Sequence, residues 1–175
     1  MDLSTAPAPN DLGRLRRSHR LRTVFFVVLS AFLLAGALGA YGVRHREASA
    51  TGGGYELTVR YPTVTRPGLA SVWSVEVRST DGSPLAGTIA LATTADYFAI
   101  YDENGLDPDP VSAMTDGEDI VWEFEPSDGA TTLSVEFDAR IEPAVQLSKR
   151  PGRTSVLDDD GAPVATVDYR TWVLP

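Results

Sequence analysis

Two hydrophobic patterns divide this chain. Val24 to Val43 is a run of twenty residues without a charge, and from Tyr55 onward apolar residues recur at every second position. The first pattern predicts a membrane-spanning helix. Twenty residues rising about 1.5 Å each cover about 30 Å, the hydrocarbon thickness of a bilayer. Eleven of the twenty are Leu, Val or Phe, which favours insertion by about 3 to 7 kcal/mol on an insertion scale. A core helix of a soluble domain would carry a polar face. This run has none; Ser30 and Tyr41 are its only polar side chains, and Tyr41 stands where an interfacial aromatic would.

The second pattern predicts strands. Leu57, Val59 and Tyr61 alternate with Glu56, Thr58 and Arg60, and Trp73, Val75 and Val77 with Ser74, Glu76 and Arg78. Ile120, Trp122 and Phe124 repeat the pattern, as do Leu133, Val135 and Phe137. A period of two is the mark of a half-buried strand. Shorter strands are expected at Ile89 and Leu91, Tyr97 to Tyr101, Val145 and Leu147, and Val167 to Val173. Asp81-Gly82-Ser83-Pro84, Pro126-Ser127-Asp128-Gly129 and Asp158-Asp159-Asp160-Gly161 read as turns. No 3.6-residue period follows the apolar run.

About seven to nine short strands with regular turn signals predict an all-β domain, an immunoglobulin-like antiparallel β-sandwich preceded by one N-terminal transmembrane helix. Its core is expected on Trp73, Val75, Val77, Ile120, Trp122, Phe124, Leu133, Val135 and Phe137. An aromatic ligand platform is the functional alternative for Trp73 and Trp122. The expected layout is a basic tail over 1–22, an anchor over 23–43, a flexible linker over 44–54 and the β-domain over 55–175. The first ten residues read as disordered, and Asp11 to Arg22 as a helical lead into the anchor.

Charge orients this layout. Arg14, Arg16, Arg17, Arg20 and Arg22 precede the apolar run, against Arg44 and Arg46 after it. Basic residues stay inside, so the N-terminus is expected to be cytoplasmic and the β-domain extracytoplasmic. Ala48 and Ala50 could feed a signal peptidase, but the apolar run is longer than a signal peptide's core, which favours an uncleaved anchor. Fourteen arginines against one lysine suggest a GC-rich bacterial genome, and hence a bacterial cell membrane. The absence of cysteine excludes a lipoprotein anchor and disulfides. Residues 51–175 carry eight basic and twenty-one acidic side chains. Taken as a whole, such a domain should repel nucleic acid and anionic lipid.

Candidate chemistry is sparse. Both histidines, His19 and His45, precede residue 55, so the predicted β-domain lacks the parts of a Ser-His-Asp, Cys-His or usual zinc site. Lys149 is the only lysine. The reading is non-enzymatic, with a carboxylate-based hydrolase as a lesser alternative. Asp102 to Gly117 reads as a long acidic loop, in which Asp102, Asn104, Asp107 and Asp109 place four side-chain oxygens around Gly105. Calcium takes oxygen-rich loops of this kind. The match to an EF-hand is partial, since Gly105 comes at position 4 and Ala113 stands at position 12. Asp116, Glu118 and Asp119 would complete a coordination sphere if the loop folded back. No other cofactor is expected. In the anchor, Ala31, Ala35 and Gly39 recur every fourth residue, as do Gly36 and Ala40, a small-residue ridge that suits self-association of the helix.

Several short pieces carry a resemblance: Tyr61-Pro62, Arg66-Pro67-Gly68, Trp73, Asn104-Gly105-Leu106-Asp107-Pro108, Trp122, Phe137-Asp138-Ala139-Arg140 and Tyr169-Arg170-Thr171. Over residues 20–175 the chain resembles a group of uncharacterised bacterial single-pass membrane proteins with an exported immunoglobulin-like domain. That resemblance implies a fold and a topology, and no catalytic residues. The expected function is a membrane-anchored interaction module, an accessory subunit of another envelope or membrane protein. The alternative is a module binding calcium or an envelope glycan.

Overall fold

A computed structural model describes residues 9–39, 42–85, 87–145 and 147–174, with side chains from residue 17 onward except those of Glu103 and Asn104. The chain divides into two units, residues 1–42 and 43–175. The first contains one helix, α1 (Pro9–Ala37), which opens on a proline, the residue best suited to a first helical turn. Its segment Arg17–Ala37 is long and apolar enough to cross a membrane, and none of it is buried. Phe25, Leu33 and Leu34 each expose about 60% of their surface. The helix ends before Val43 because Gly36, Gly39 and Gly42 weaken it. Ala31 and Ala35 therefore lie on α1 and Gly39 beyond it, while Ala40 and Tyr41 fall outside the described residues, as do 1–8.

The second unit is all-β. Its elements are β1 (Arg44–Gly52), β2 (Tyr55–Thr65), β3 (Ala70–Ser79), β4 (Ile89–Thr94), a one-turn helix α2 (Ala95–Phe98), β5 (Tyr101–Asp107), β6 (Ser112–Asp116), β7 (Asp119–Phe124), β8 (Thr132–Ile141), β9 (Ser148–Leu157) and β10 (Pro163–Val173). One sheet of ten strands runs β5-β8-β3-β2-β10-β9-β4-β7-β6, with β1 added to β2. The sheet is mixed rather than purely antiparallel. β2 pairs antiparallel with β3 from Tyr55 to Arg60, then passes Pro62 and pairs in parallel with β10 at Val64 and Thr65. Pro62 has no N–H to give a ladder, and its carbonyl instead accepts the hydroxyl of Thr171. The sheet is curled, so that Trp73 on β3 and Trp122 on β7 meet at 6.2 Å between ring centroids although β2, β10, β9 and β4 lie between them in the order.

Four expectations are corrected. Residues 44–54 are not a flexible linker: β1 pairs with β2 along its whole length, and the turn between them is Gly53-Gly54. Both glycines have positive φ, 58° and 85°, the geometry of a two-residue hairpin turn. The small Ala48 and Ala50 pack against the core but carry too little apolar weight to reveal a strand. Residues 102–117 are not a long loop but contain β5 and β6. These are the two ends of the sheet order, where exposed strands need not alternate. Tyr97 to Tyr101 is not a strand; it begins in α2. Among the described residues, Val145 and Leu147 belong to no strand, and β9 starts at Ser148, taking in Pro151 and Gly152.

The core follows the alternation. Trp73, Val75, Val77, Trp122, Phe124, Leu133, Val135 and Phe137 are buried, and Ile120 is half-buried against them. The ligand-platform alternative therefore fails for Trp73 and Trp122. The core's aromatic hub is Phe98 on α2, whose ring lies 5.0 to 5.3 Å from those of Trp73, Phe137, Trp122 and Tyr97. Three tyrosine hydroxyls are also buried here. Tyr169 accepts a hydrogen bond from Trp73 Nε1 (3.2 Å) and meets the hydroxyl of Thr154 (3.0 Å). Tyr101 donates to Tyr97 (3.2 Å), which in turn bonds Thr171 (2.8 Å).

Burial raises the pKa of Tyr97, Tyr101 and Tyr169. In the unfolded chain each would ionise near pH 10, so the unfolded state releases these protons first. Stability is then complete below about pH 10 and falls as pH rises beyond it. In an alkaline titration, the tyrosinate absorbance of these three residues should rise only in step with loss of the far-ultraviolet dichroism. Ionisation of all six tyrosines ahead of unfolding would show that the hydroxyls are not sealed.

A candidate cationic groove

The ends of β2 and β10 and the start of β1 frame an open groove of about 680 Å³. Strand alternation builds it. On β10, Tyr169, Thr171 and Val173 turn inward while Asp168, Arg170 and Trp172 turn out. β1 contributes Arg44, His45 and Arg46 to the same groove. Beneath them the rings of Tyr61 and Tyr169 stack at 5.1 Å.

The groove is cationic. Its one carboxylate, Asp168, is held by Arg153 on β9 at 2.9 Å. Arg44, Arg46 and Arg170 enter no ion pair among the described residues. Trp172 is 45% exposed, and Lys149 Nζ lies 5.4 Å from the centre of its ring, a cation–π distance. His45 was expected to lie outside the β-domain; it is in β1. Burial, and then the charge of Arg60, lower its pKa, so the imidazole is neutral at pH 7. Its Nε2 is buried without a hydrogen-bond partner among the described residues, so no carboxylate or hydroxyl activates it there.

Charge is only partly divided along the strands: the β6–β7 turn, with Asp116, Glu118 and Asp119, lies toward the groove's end, because Thr94, the partner of Asp119, ends β4 there. The pairings Arg44–Val64, Val64–Trp172 and Trp172–Lys149 place Arg44, Trp172 and Lys149 at one end of the sheet. Ser79 pairs with Tyr55 at the other end, where the turns carry Asp81, Asp128 and Asp158 to Asp160. Asp81 accepts hydrogen bonds from the hydroxyls of Ser83 and Ser79, which pull its pKa down to about 2. Asp158 Oδ1 accepts the backbone N–H groups of Asp160 and Ala162 and closes the β9–β10 turn. Local turn geometry thus holds Asp81 as an anion at neutral pH.

Of the predicted calcium ligands, Asp102, Asp107 and Asp109 are not grouped among the described residues. Asp102, on β5, pairs with Arg140 of β8 at 3.1 Å. Asp107 ends β5 opposite Glu136, Asp109 is exposed beyond it, and the side chain of Asn104 lies outside the described residues. Side chains of a strand alternate between faces and do not converge as those of a loop can. Asp116 and Asp119, expected to complete the sphere, belong to the β6–β7 hairpin. Among the described residues no three His, Asp or Glu side chains are grouped to hold a metal. The groove itself escaped the sequence reading. Its signal was Arg44/Arg46 and Arg170/Trp172, two polar pairs at the spacing that puts both members on one face of a strand.

No protein-family model matches this chain, and no curated protein does. Among solved structures it is similar to a cohesin module from a family 33 glycoside hydrolase of Clostridium perfringens, at 10% identity and a TM-score of 0.44, covering 67% of this chain and 95% of that one. It is similar also to BcpA, the major pilin subunit of Bacillus cereus, at 10% identity and a TM-score of 0.41, covering 75% of this chain and 40% of the pilin. A third likeness, to AvmM, which catalyses macrocyclization in alchivemycin A biosynthesis, has a TM-score of 0.37 at 10% identity, covering 77% of this chain and 90% of that one.

Proposed function

We propose that this chain is a single-pass protein of a bacterial cell membrane, with α1 as its anchor, its N-terminus cytoplasmic and its β-domain extracytoplasmic. In this reading the β-domain is an immunoglobulin-like sandwich, its two layers being the halves of the curled sheet that meet through Trp73 and Trp122. It serves as a non-enzymatic interaction module, an accessory subunit of another envelope or membrane protein. The chain then belongs with the exported immunoglobulin-like membrane proteins that its sequence resembles.

The observation that carries the interaction role is the edge strand β6. It ends the sheet order, so its outer ladder faces no further strand among the described residues. Beside it Val111 is 57% exposed and Met114 52%. An open edge with apolar side chains is a ready template for pairing with another chain, and exposed methionine adapts to varied surfaces.

Two measurements test this. A protease added to intact spheroplasts should remove the β-domain and leave the N-terminal tail protected; a mature protein starting near Thr51 would mean the helix is a cleaved signal. A photocrosslinker placed at Met114 in the native membrane should trap a discrete protein that the same group at the exposed Ser134 on β8 does not. Identical adducts at both positions would remove β6 as the partner edge.

A further inference from the structure

We infer that the cationic groove is a docking surface for anionic phospholipid headgroups, formed by Arg44, Arg46, Arg170 and Trp172, with Lys149 beside the Trp172 ring. The inference rests on the anchored reading above and names what the domain's cationic end contacts. Residues 43–175 hold ten basic and twenty-two acidic side chains, so carboxylates are abundant, yet Arg44, Arg46 and Arg170 pair with none among the described residues. Three guanidinium groups in one groove match phosphate oxygens, because each presents a planar fork of donors. The exposed Trp172 lies among them, an amphipathic ring of the type that settles at headgroup level. Leu147, 64% exposed, precedes Lys149 by two positions. Arg44 follows the last residue of α1 by only seven positions, and basic residues close in sequence to a span are the ones an anionic leaflet attracts.

Net charge alone predicts repulsion from such a surface, but what a headgroup meets is the local charge. At physiological salt an exposed charge is felt over only about 8 Å. A headgroup at the groove therefore meets Arg44, Arg46 and Arg170 first, while Asp81, Asp128 and Asp158 to Asp160 sit on turns at the far end of the strands.

The three tryptophans allow a direct test, since Trp73 and Trp122 are buried and Trp172 is exposed. Reconstitute the full chain in vesicles of phosphatidylcholine alone, or mixed with phosphatidylglycerol, and isolate Trp172 emission by subtracting the Trp172→Phe variant. In anionic vesicles that emission should shift to the blue and be quenched by brominated acyl chains. Both effects should vanish in phosphatidylcholine, in about 1 M salt, where the screening length is about 3 Å, and in the variant Arg44→Gln/Arg46→Gln/Arg170→Gln. Flotation with the vesicles and resistance to alkaline carbonate are read in the same samples. If the chain fails to float, the anchor falls and the docking with it. If it floats while aqueous acrylamide quenches Trp172 equally in both vesicle types, the anchor stands and the docking is overturned. Soluble polyphosphate that reproduces the blue shift in detergent, with no effect of anionic lipid in vesicles, would likewise overturn lipid as the ligand.

Discussion

Replacing Trp73 with alanine should cost about 3 to 5 kcal/mol, enough to threaten a domain of ordinary stability, about 5 to 15 kcal/mol. Trp73 is wholly buried. Its ring packs edge-on to Phe98 at 5.0 Å and to Trp122 at 6.2 Å, and its partner across the β3–β8 ladder is Phe137. Truncation opens a cavity among Phe98, Trp122, Phe137 and Tyr169, which their own packing keeps from closing on it. It also removes the donor that Trp73 Nε1 provides to Tyr169. The comparison is internal: Trp172→Ala, on the same sheet but 45% exposed, should shift stability by no more than about 0.5 kcal/mol. Urea midpoints for the two variants decide it. Equal midpoints would mean that the aromatic cluster is not what holds the curled sheet closed.

A methyl group added at Gly152 should destabilise the domain by about 2 to 5 kcal/mol, combining overpacking with the loss of a buried hydrogen bond. Gly152 is buried on β9, and a Cβ there would overlap the ring of Tyr169 and stand 2.8 Å from the ring of Tyr97. Neither ring can withdraw freely. Tyr169 is tied to Trp73 and Thr154, and Tyr97 to Thr171 and Tyr101. The measurement is again the urea midpoint, now with Gly152→Ala alone and combined with Tyr169→Ala. Removing the ring should erase the extra cost of the methyl, so the two changes together should be markedly less than additive. Additive effects would place the clash elsewhere.

These two sites show how legible the fold was. Trp73 was readable because it alternates with polar residues over a whole strand, and burial on one face leaves no other register. Gly152 was not. Beside Pro151 it looks like a strand breaker, and only the approach of Tyr169 from β10, seventeen residues later, explains why a strand needs a glycine there. Phe98 lies between these cases. Tyr97 and Tyr101 have the four-residue spacing of a helical turn, but one turn is too short to register against the surrounding period of two, and the segment was expected as a strand. β1 failed to show because alanines fill little space, although its Gly53-Gly54 turn was in plain view. The calcium proposal drew on composition, which counts oxygens without knowing which way they point; β5 directs Asp102 to Arg140.

The amino-acid sequence by itself determined what is local or periodic. One apolar stretch makes a helix able to span a membrane, alternation makes the long strands and most of the core, and turn chemistry ends them. These follow from transfer free energy and backbone geometry within a few residues. Tertiary structure alone decided which distant strands become neighbours. The parallel pairing of β10 with β2 brought Trp172 to Val64 and gathered Arg44, Arg46 and Arg170 around one groove. Net charge is a sum over the chain, whereas a charge in salt water acts only over about a Debye length. Which charges lie that close is a property of strand order and register, and no one-dimensional pattern contains it.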